Sequence, residues 1–154
     1  MPLTDLVLPD AILPSLKATN KKQALQDISD RAAKVTGLPA REIFDILLQR
    51  ERLGSTGVGH GVAIPHGKLP KCTRIAGVFA RLERPIDFEA LDGAPVDLIF
   101  TLIAPEDAGA DHLKALARIA RAMRDPAFVA RLRATRDAKA LYSMLTMGQT
   151  SNAA

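Results

Sequence analysis

Cysteine and aromatic residues are scarce in this sequence. Cys72 is the only cysteine among 154 residues, so no internal disulfide and no cysteine-based zinc cluster can form, which suits a reducing compartment. Tryptophan is absent and aromatics make up 4% of the composition, leaving little material for base-stacking platforms. The net charge of +4, with Arg118, Arg121, Arg124, Arg131, Arg133 and Arg136 clustered late, would suit nucleic acid, but without aromatic support or a nucleic-acid-binding motif it is not read that way. It fits a solvated basic face or an acidic protein partner. No apolar run approaches the roughly 20 residues of a membrane span, and Met1-Pro2-Leu3-Thr4-Asp5 lacks a basic segment followed by an apolar stretch. The expectation is a cytoplasmic protein with no direct membrane insertion.

Several catalytic patterns are missing too. Gly67-Lys68 is followed by Leu69, so there is no Walker motif, and Gly54-Ser55 is followed by Thr56-Gly57, so there is no nucleophile elbow. His60, His66 and His112 have no tight metal-ligand spacing. What is present is the 47% hydrophobic, 25% charged composition of a globular protein. The size predicts a single domain over residues 1–154, with a core from about 3 to 147 and a loose tail over 148–154.

Apolar positions Ala24, Leu25, Ile28, Ala32 and Val35 repeat at helical spacing between capping residues at Thr19-Asn20 and a stop at Gly37. A second helix is predicted from Pro39, with Ile43, Ile46, Leu47 and Leu48 turned inward and an end at Gly54. Two runs, from Arg74 to Leu82 and from Val96 to Ala104, read as strands. The second is apolar at nearly every position after Asp97, as a strand covered on both faces must be, and Asp92-Gly93 supplies the turn before it. From Asp111 to about Arg124, Leu113, Leu116, Ala117, Ile119, Ala120 and Met123 form a helical stripe; Asp125-Pro126 interrupts it before two shorter helical stretches ending near Met147. This order predicts an α/β fold in which a mixed sheet of about five strands is sandwiched between helical layers.

The chemistry concentrates around His66. Gly54, Gly57, Gly59 and Gly61 precede it, and such glycines serve either a plain turn-rich hairpin or an anion-binding nest of backbone N–H groups. The preceding Pro65 fixes His66, Val62-Ala63-Ile64 forms a short apolar strand behind it, and Ser55 and Thr56 offer hydroxyl donors. A held, exposed imidazole is a competent nucleophile near neutral pH, and a phosphoryl group on nitrogen can be passed onward. The moving phosphoryl needs charge stabilisation, which arginine, a helix N-terminus or backbone N–H groups supply without a metal. His112 follows Asp111, a predicted N-cap, and so falls in the first turn of a helix. The residues alone favour a solvent-facing position for His112 and leave a pairing with His66 open.

The segments from Arg50 to Gly57 and from Gly61 to Lys68 closely resemble the mannitol/fructose-type enzyme IIA of the bacterial phosphotransferase system, as do Asp92 to Phe100, Ala104-Pro105-Glu106-Asp107 and His112-Leu113-Lys114. The likeness runs from about Leu3 to Met147 and is greatest to the nitrogen-regulatory branch. The resemblance implies that His66 accepts a phosphoryl group from a phosphohistidine of an HPr-like carrier, that His112 lies beside it for phosphate stabilisation, and that Arg50 helps bind the phosphate. Ser55 and Thr56 sit at matching positions as phosphate-binding candidates. The branch implies phosphorylation-dependent binding of regulatory targets such as sensor kinases or potassium transport systems, with no cofactor and no metal. The alternative within the family is a sugar-uptake enzyme IIA that passes phosphate to a IIB domain. No family role falls on His60, which keeps a structural reading.

Overall fold

In the computed structural model, which describes residues 3–147, the chain runs β1 (Val7–Leu16), α1 (Lys21–Thr36), α2 (Ala40–Arg52), β2 (Gly57–Gly59), β3 (Val62–Ala63), β4 (His66–Leu69), β5 (Ala76–Ile86), β6 (Val96–Pro105), α3 (Ala110–Ala122), α4 (Pro126–Ala134) and α5 (Ala138–Met147). The tail expected over 148–154 lies outside the described residues.

The first helix forms as its sequence requires. The Asn20 side chain accepts the Gln23 N–H, a cap that contributes about 1 kcal/mol, and Gly37 closes the helix in the left-handed conformation. Pro39 stands one position earlier than expected, as the N-cap of α2, and its fixed φ still suits the entry. Asp125 caps α4 through the Ala127 and Phe128 N–H groups, which is why Asp125-Pro126 ends one helix and starts the next.

The strands form one mixed sheet in the order β1-β5-β6-β3-β2, with β4 also paired to β6. β1 runs parallel to β5, β5 antiparallel to β6, and β2 antiparallel to β3. Because β5 occupies one edge of β6, β3 and β4 share the other, both parallel to it. Val62 pairs with Leu98 and Ala63 with Ile99; His66 then pairs with Leu102 in the same register. β3 and β4 are thus one strand path interrupted at Ile64-Pro65, where proline has no N–H to give to the ladder. That interruption and the edge strand β1 raise the expected count of about five to six.

β6 is the central strand, as its nearly continuous apolar run predicted. Leu98, Phe100 and Leu102 project to one face, Ile99, Thr101 and Ile103 to the other, and all are buried, so both faces are covered. The cover comes from α1 on β1 and β5, α2 on β4, α3 on β6 and α5 on β1. Phe79, Phe88, Phe100 and Phe128 are closed off from solvent, each worth about 2–3 kcal/mol of burial. Of the late arginines, Arg118 is tied to Asp5 and Arg133 to Asp97, so part of the basic cluster serves to fasten the fold.

Candidate functional site

His66 opens β4, and its position follows from three neighbours. On one side, the Leu102 N–H donates to the Pro65 carbonyl at 2.9 Å, fixing β4 against β6. On the other, α2 crosses close above Gly67: a Cβ at this position would lie 2.1 Å from Ile46 Cγ2, so only glycine permits the approach. From beyond the end of β6, the first turn of α3 brings in His112. The two imidazoles stand with centroids 5.8 Å apart and planes inclined at 54°. Ile46, Gln49, Arg50, Arg52, Leu53, His66, Gly67, Lys68 and His112 line an open hollow of about 540 Å³ at this junction. Two larger surface hollows, of about 640 and 600 Å³, contain no histidine or cysteine, so chemistry and not size selects this one.

The His66 tautomer is determined by its own backbone. Nδ1 lies 2.9 Å from the Ile64 carbonyl oxygen. A carbonyl can only accept, so in the neutral ring Nδ1 carries the proton and Nε2 holds the lone pair. His66 is half-buried and contributes to the wall of the hollow.

His112 is 5% exposed, which corrects the solvent-facing position favoured from the residues alone. Asp111 is also not the N-cap: Gly109 takes that position, and Asp111 and His112 lie inside the first turn. His112 Nδ1 is buried with no hydrogen-bond partner among the described residues. Burial pushes the His112 pKa below the ordinary 6.5, and the nearby His66 and Lys68 push it the same way. Both effects favour the neutral ring. Lys68 was not singled out by the sequence reading; strand alternation, which puts residues 66 and 68 on one face, is the signal that locates it.

Arg50 and Arg52 both contribute to the hollow. Arg50 Nη1 donates to the Gly54 carbonyl at 2.9 Å, which steadies the side chain while leaving other guanidinium N–H groups available. Ser55 and Thr56 are placed differently from the phosphate-binding positions expected of them. Ser55 Oγ donates to the Phe88 carbonyl at 2.7 Å and accepts the Gly57 N–H at 3.0 Å. The Thr56 hydroxyl is buried on Glu51. Neither residue contributes to the wall of the hollow, because both hydroxyls are engaged in holding the loop after α2.

The glycine-rich segment is a hairpin. His60 sits at its tip with φ 57°, its N–H donating to Asp92 Oδ2 at 3.0 Å and its carbonyl accepting from Arg133 Nη2. Gly61 follows with φ 81°, and a Cβ there would lie 2.2 Å from Arg133 Nη2. Its backbone is thus engaged by protein groups, and the structural reading of His60 agrees with this placement. No group of three or more histidine, cysteine, aspartate or glutamate side chains among the described residues could hold a metal ion, and no helix among them is long and apolar enough to cross a membrane.

Two histidines thus face each other across a shallow hollow beside a mixed sheet, one with its lone pair fixed on Nε2. The chain belongs to the family described as phosphoenolpyruvate-dependent sugar phosphotransferase system, EIIA 2, which matches residues 5–147. It is 65% identical over 147 residues to the nitrogen regulatory protein of Bradyrhizobium diazoefficiens, covering 96% of each chain. It superposes on the crystal structure of nitrogen regulatory protein IIA-Ntr from Neisseria meningitidis with a TM-score of 0.87 at 33% identity, over 92% of this chain and 97% of that one. The IIA mannitol structure from Escherichia coli shares the fold, with a TM-score of 0.76 at 22% identity over 88% of this chain and 96% of that one.

Proposed function

We propose that this protein is a regulatory phosphocarrier: a single enzyme IIA-type domain that accepts a phosphoryl group on Nε2 of His66 and signals through phosphorylation-dependent protein binding. The observation that carries the reading is the hydrogen bond from His66 Nδ1 to the Ile64 carbonyl, which leaves Nε2 as the nucleophile on the wall of the hollow. In the transfer, the Nε2 lone pair attacks the phosphorus of a phosphohistidine on an HPr-like donor. The Nε2–P bond forms as the donor's N–P bond breaks, and that electron pair returns to the donor imidazole. The Nδ1 proton stays in place against Ile64.

Arg50 supplies positive charge and N–H donors to the phosphoryl oxygens, and His112 adds a ring donor in a partly desolvated setting. Ser55 and Thr56 hold the loop that frames the hollow. A phosphoryl group added to the imidazole offsets much of the positive charge that Arg50, Arg52 and Lys68 give the hollow, which changes the partners it complements. Regulatory targets such as sensor kinases or potassium transport systems suit this logic, and the names of the relatives favour it over sugar uptake through a IIB domain. A cytoplasmic setting, shared with the donor, follows from the same reading.

The test is incubation with a phosphorylated HPr-type donor, followed by intact mass and a check for an acid-labile, base-stable modification. Wild type should be labelled and His66→Ala should not. Equal labelling of the two sinks the assignment.

A further inference from the structure

Glu51 lies near the end of α2, yet its side chain is only 2% exposed. A carboxylate so enclosed is costly unless both oxygens are satisfied. Both are. Oε1 sits 2.8 Å from Lys21 Nζ and accepts the Thr56 N–H at 3.1 Å, while Oε2 accepts the Thr56 hydroxyl. Lys21 is itself restrained, 3.4 Å from Glu89 and 4.9 Å above the Phe88 ring.

Thr56 passes this restraint toward the site. Its carbonyl accepts the Ile64 N–H at 2.9 Å, and the Ile64 carbonyl accepts the His66 Nδ1–H at 2.9 Å. The peptide groups on either side of the Ile64 side chain are thereby held, one by Thr56 and one against the imidazole. A shift of the Thr56 backbone moves the group that sets the ring's tautomer and orientation.

We propose that Glu51 is a positioning residue for phosphoryl transfer at His66, acting through Thr56 and Ile64, with Lys21 holding its carboxylate in place. The proposal rests on His66 as the acceptor. Glu51 touches no reacting atom; it keeps the His66 ring, which lines the hollow, in one tautomer and orientation. In-line transfer is sensitive to such aim, since a misplacement of about 1 Å can cost about a hundredfold in rate.

The experiment uses the full chain with Glu51→Gln, Thr56→Val and Thr56→Ser. Nitrogen-15 NMR reads the His66 tautomer without any donor, and steady-state transfer from a phosphorylated HPr-type protein gives kcat and KM. In Glu51→Gln and Thr56→Val, the Nδ1–H tautomer should lose population and kcat should fall about tenfold or more, with KM for the donor within about twofold because the lining of the hollow is intact. Thr56→Ser keeps the hydroxyl and should restore both readouts to wild-type values. Folded variants with an unmoved tautomer overturn the proposal, whether or not kcat falls. Should Glu51→Gln fail to fold, the Thr56 pair decides alone. A wild-type protein that is never phosphorylated on His66 overturns the acceptor reading instead, and the NMR arm keeps the two failures apart.

Discussion

His66 and His112 face each other at 5.8 Å between ring centroids, the first with its Nδ1 proton held by a carbonyl, the second buried with its Nδ1 unpartnered among the described residues. A phosphoryl group on His66 places a strong negative charge beside a ring whose pKa is at present pushed down. Phosphorylation should therefore raise the His112 pKa. Nitrogen-15 or proton NMR titration of the two forms checks the direction, and an unchanged His112 titration counts against a shared site.

Removing the His112 ring should leave the nucleophile but slow its use. His112→Ala is expected to remain labelled on His66 while kcat for transfer falls by about a hundredfold, the scale seen when one donor to a developing charge is lost. Rapid-quench transfer in both directions measures this. Unchanged rates in both would remove His112 from the chemistry.

The same depressed pKa has a consequence for stability. An unfolded chain protonates His112 near 6.5, whereas the folded chain resists protonation until lower pH. Between those values the unfolded state binds more protons, so stability falls as pH drops below about 6.5, by at most about 1.4 kcal/mol per pH unit from this residue. Urea midpoints of wild type should decline more steeply on acidification than those of His112→Gln. Parallel curves contradict the expectation.

Arg50 should respond differently from a plain surface cation. One of its nitrogens is engaged by the Gly54 carbonyl, and the planar fork leaves others for phosphate. Arg50→Lys can supply charge but not both contacts at once, so it should recover only part of the transfer rate lost in Arg50→Ala. Full recovery by lysine would reduce the role of Arg50 to charge alone.

Gly67→Ala should destabilise the protein by about 1–3 kcal/mol, because the new Cβ meets Cγ2 of Ile46, a β-branched side chain that is stiff at χ1. Ile46→Ala removes that methyl, so the double variant should be more stable than the sum of the two single losses. A double-mutant cycle by denaturant unfolding tests the coupling; strict additivity would mean the two residues do not touch.

Local signals in the sequence carried the helices well. Asn20 and Gly37 bracket α1, and the nearly continuous apolar run from Leu98 onward identified the central strand, because capping and burial are recorded in adjacent residues. β1 was not assigned from the sequence. It holds Pro9, Asp10 and Pro14 and pairs with β5 through register shifts, features that an edge strand tolerates and a pattern search rejects. At the site, the glycine-rich surroundings of His66 were legible from adjacent residues. The burial of His112 was not, since it depends on β4 and α3 meeting across β6, a long-range arrangement with no trace in local spacing. Ser55 and Thr56 were legible as hydroxyls beside a histidine, but the partners that occupy them, Phe88 and Glu51, enter only through the fold.

The Ile64 carbonyl belongs to the main chain, and every amino acid has one. No substitution at position 64 can delete the acceptor that orients the His66 ring; only a change in the path of the chain can. The tautomer of His66 is accordingly buffered against point mutation at the residue that enforces it, and valine or leucine at 64 should preserve it. Heritable variation in the orientation of that ring must come from more distant positions that bend the backbone, where it can be graded.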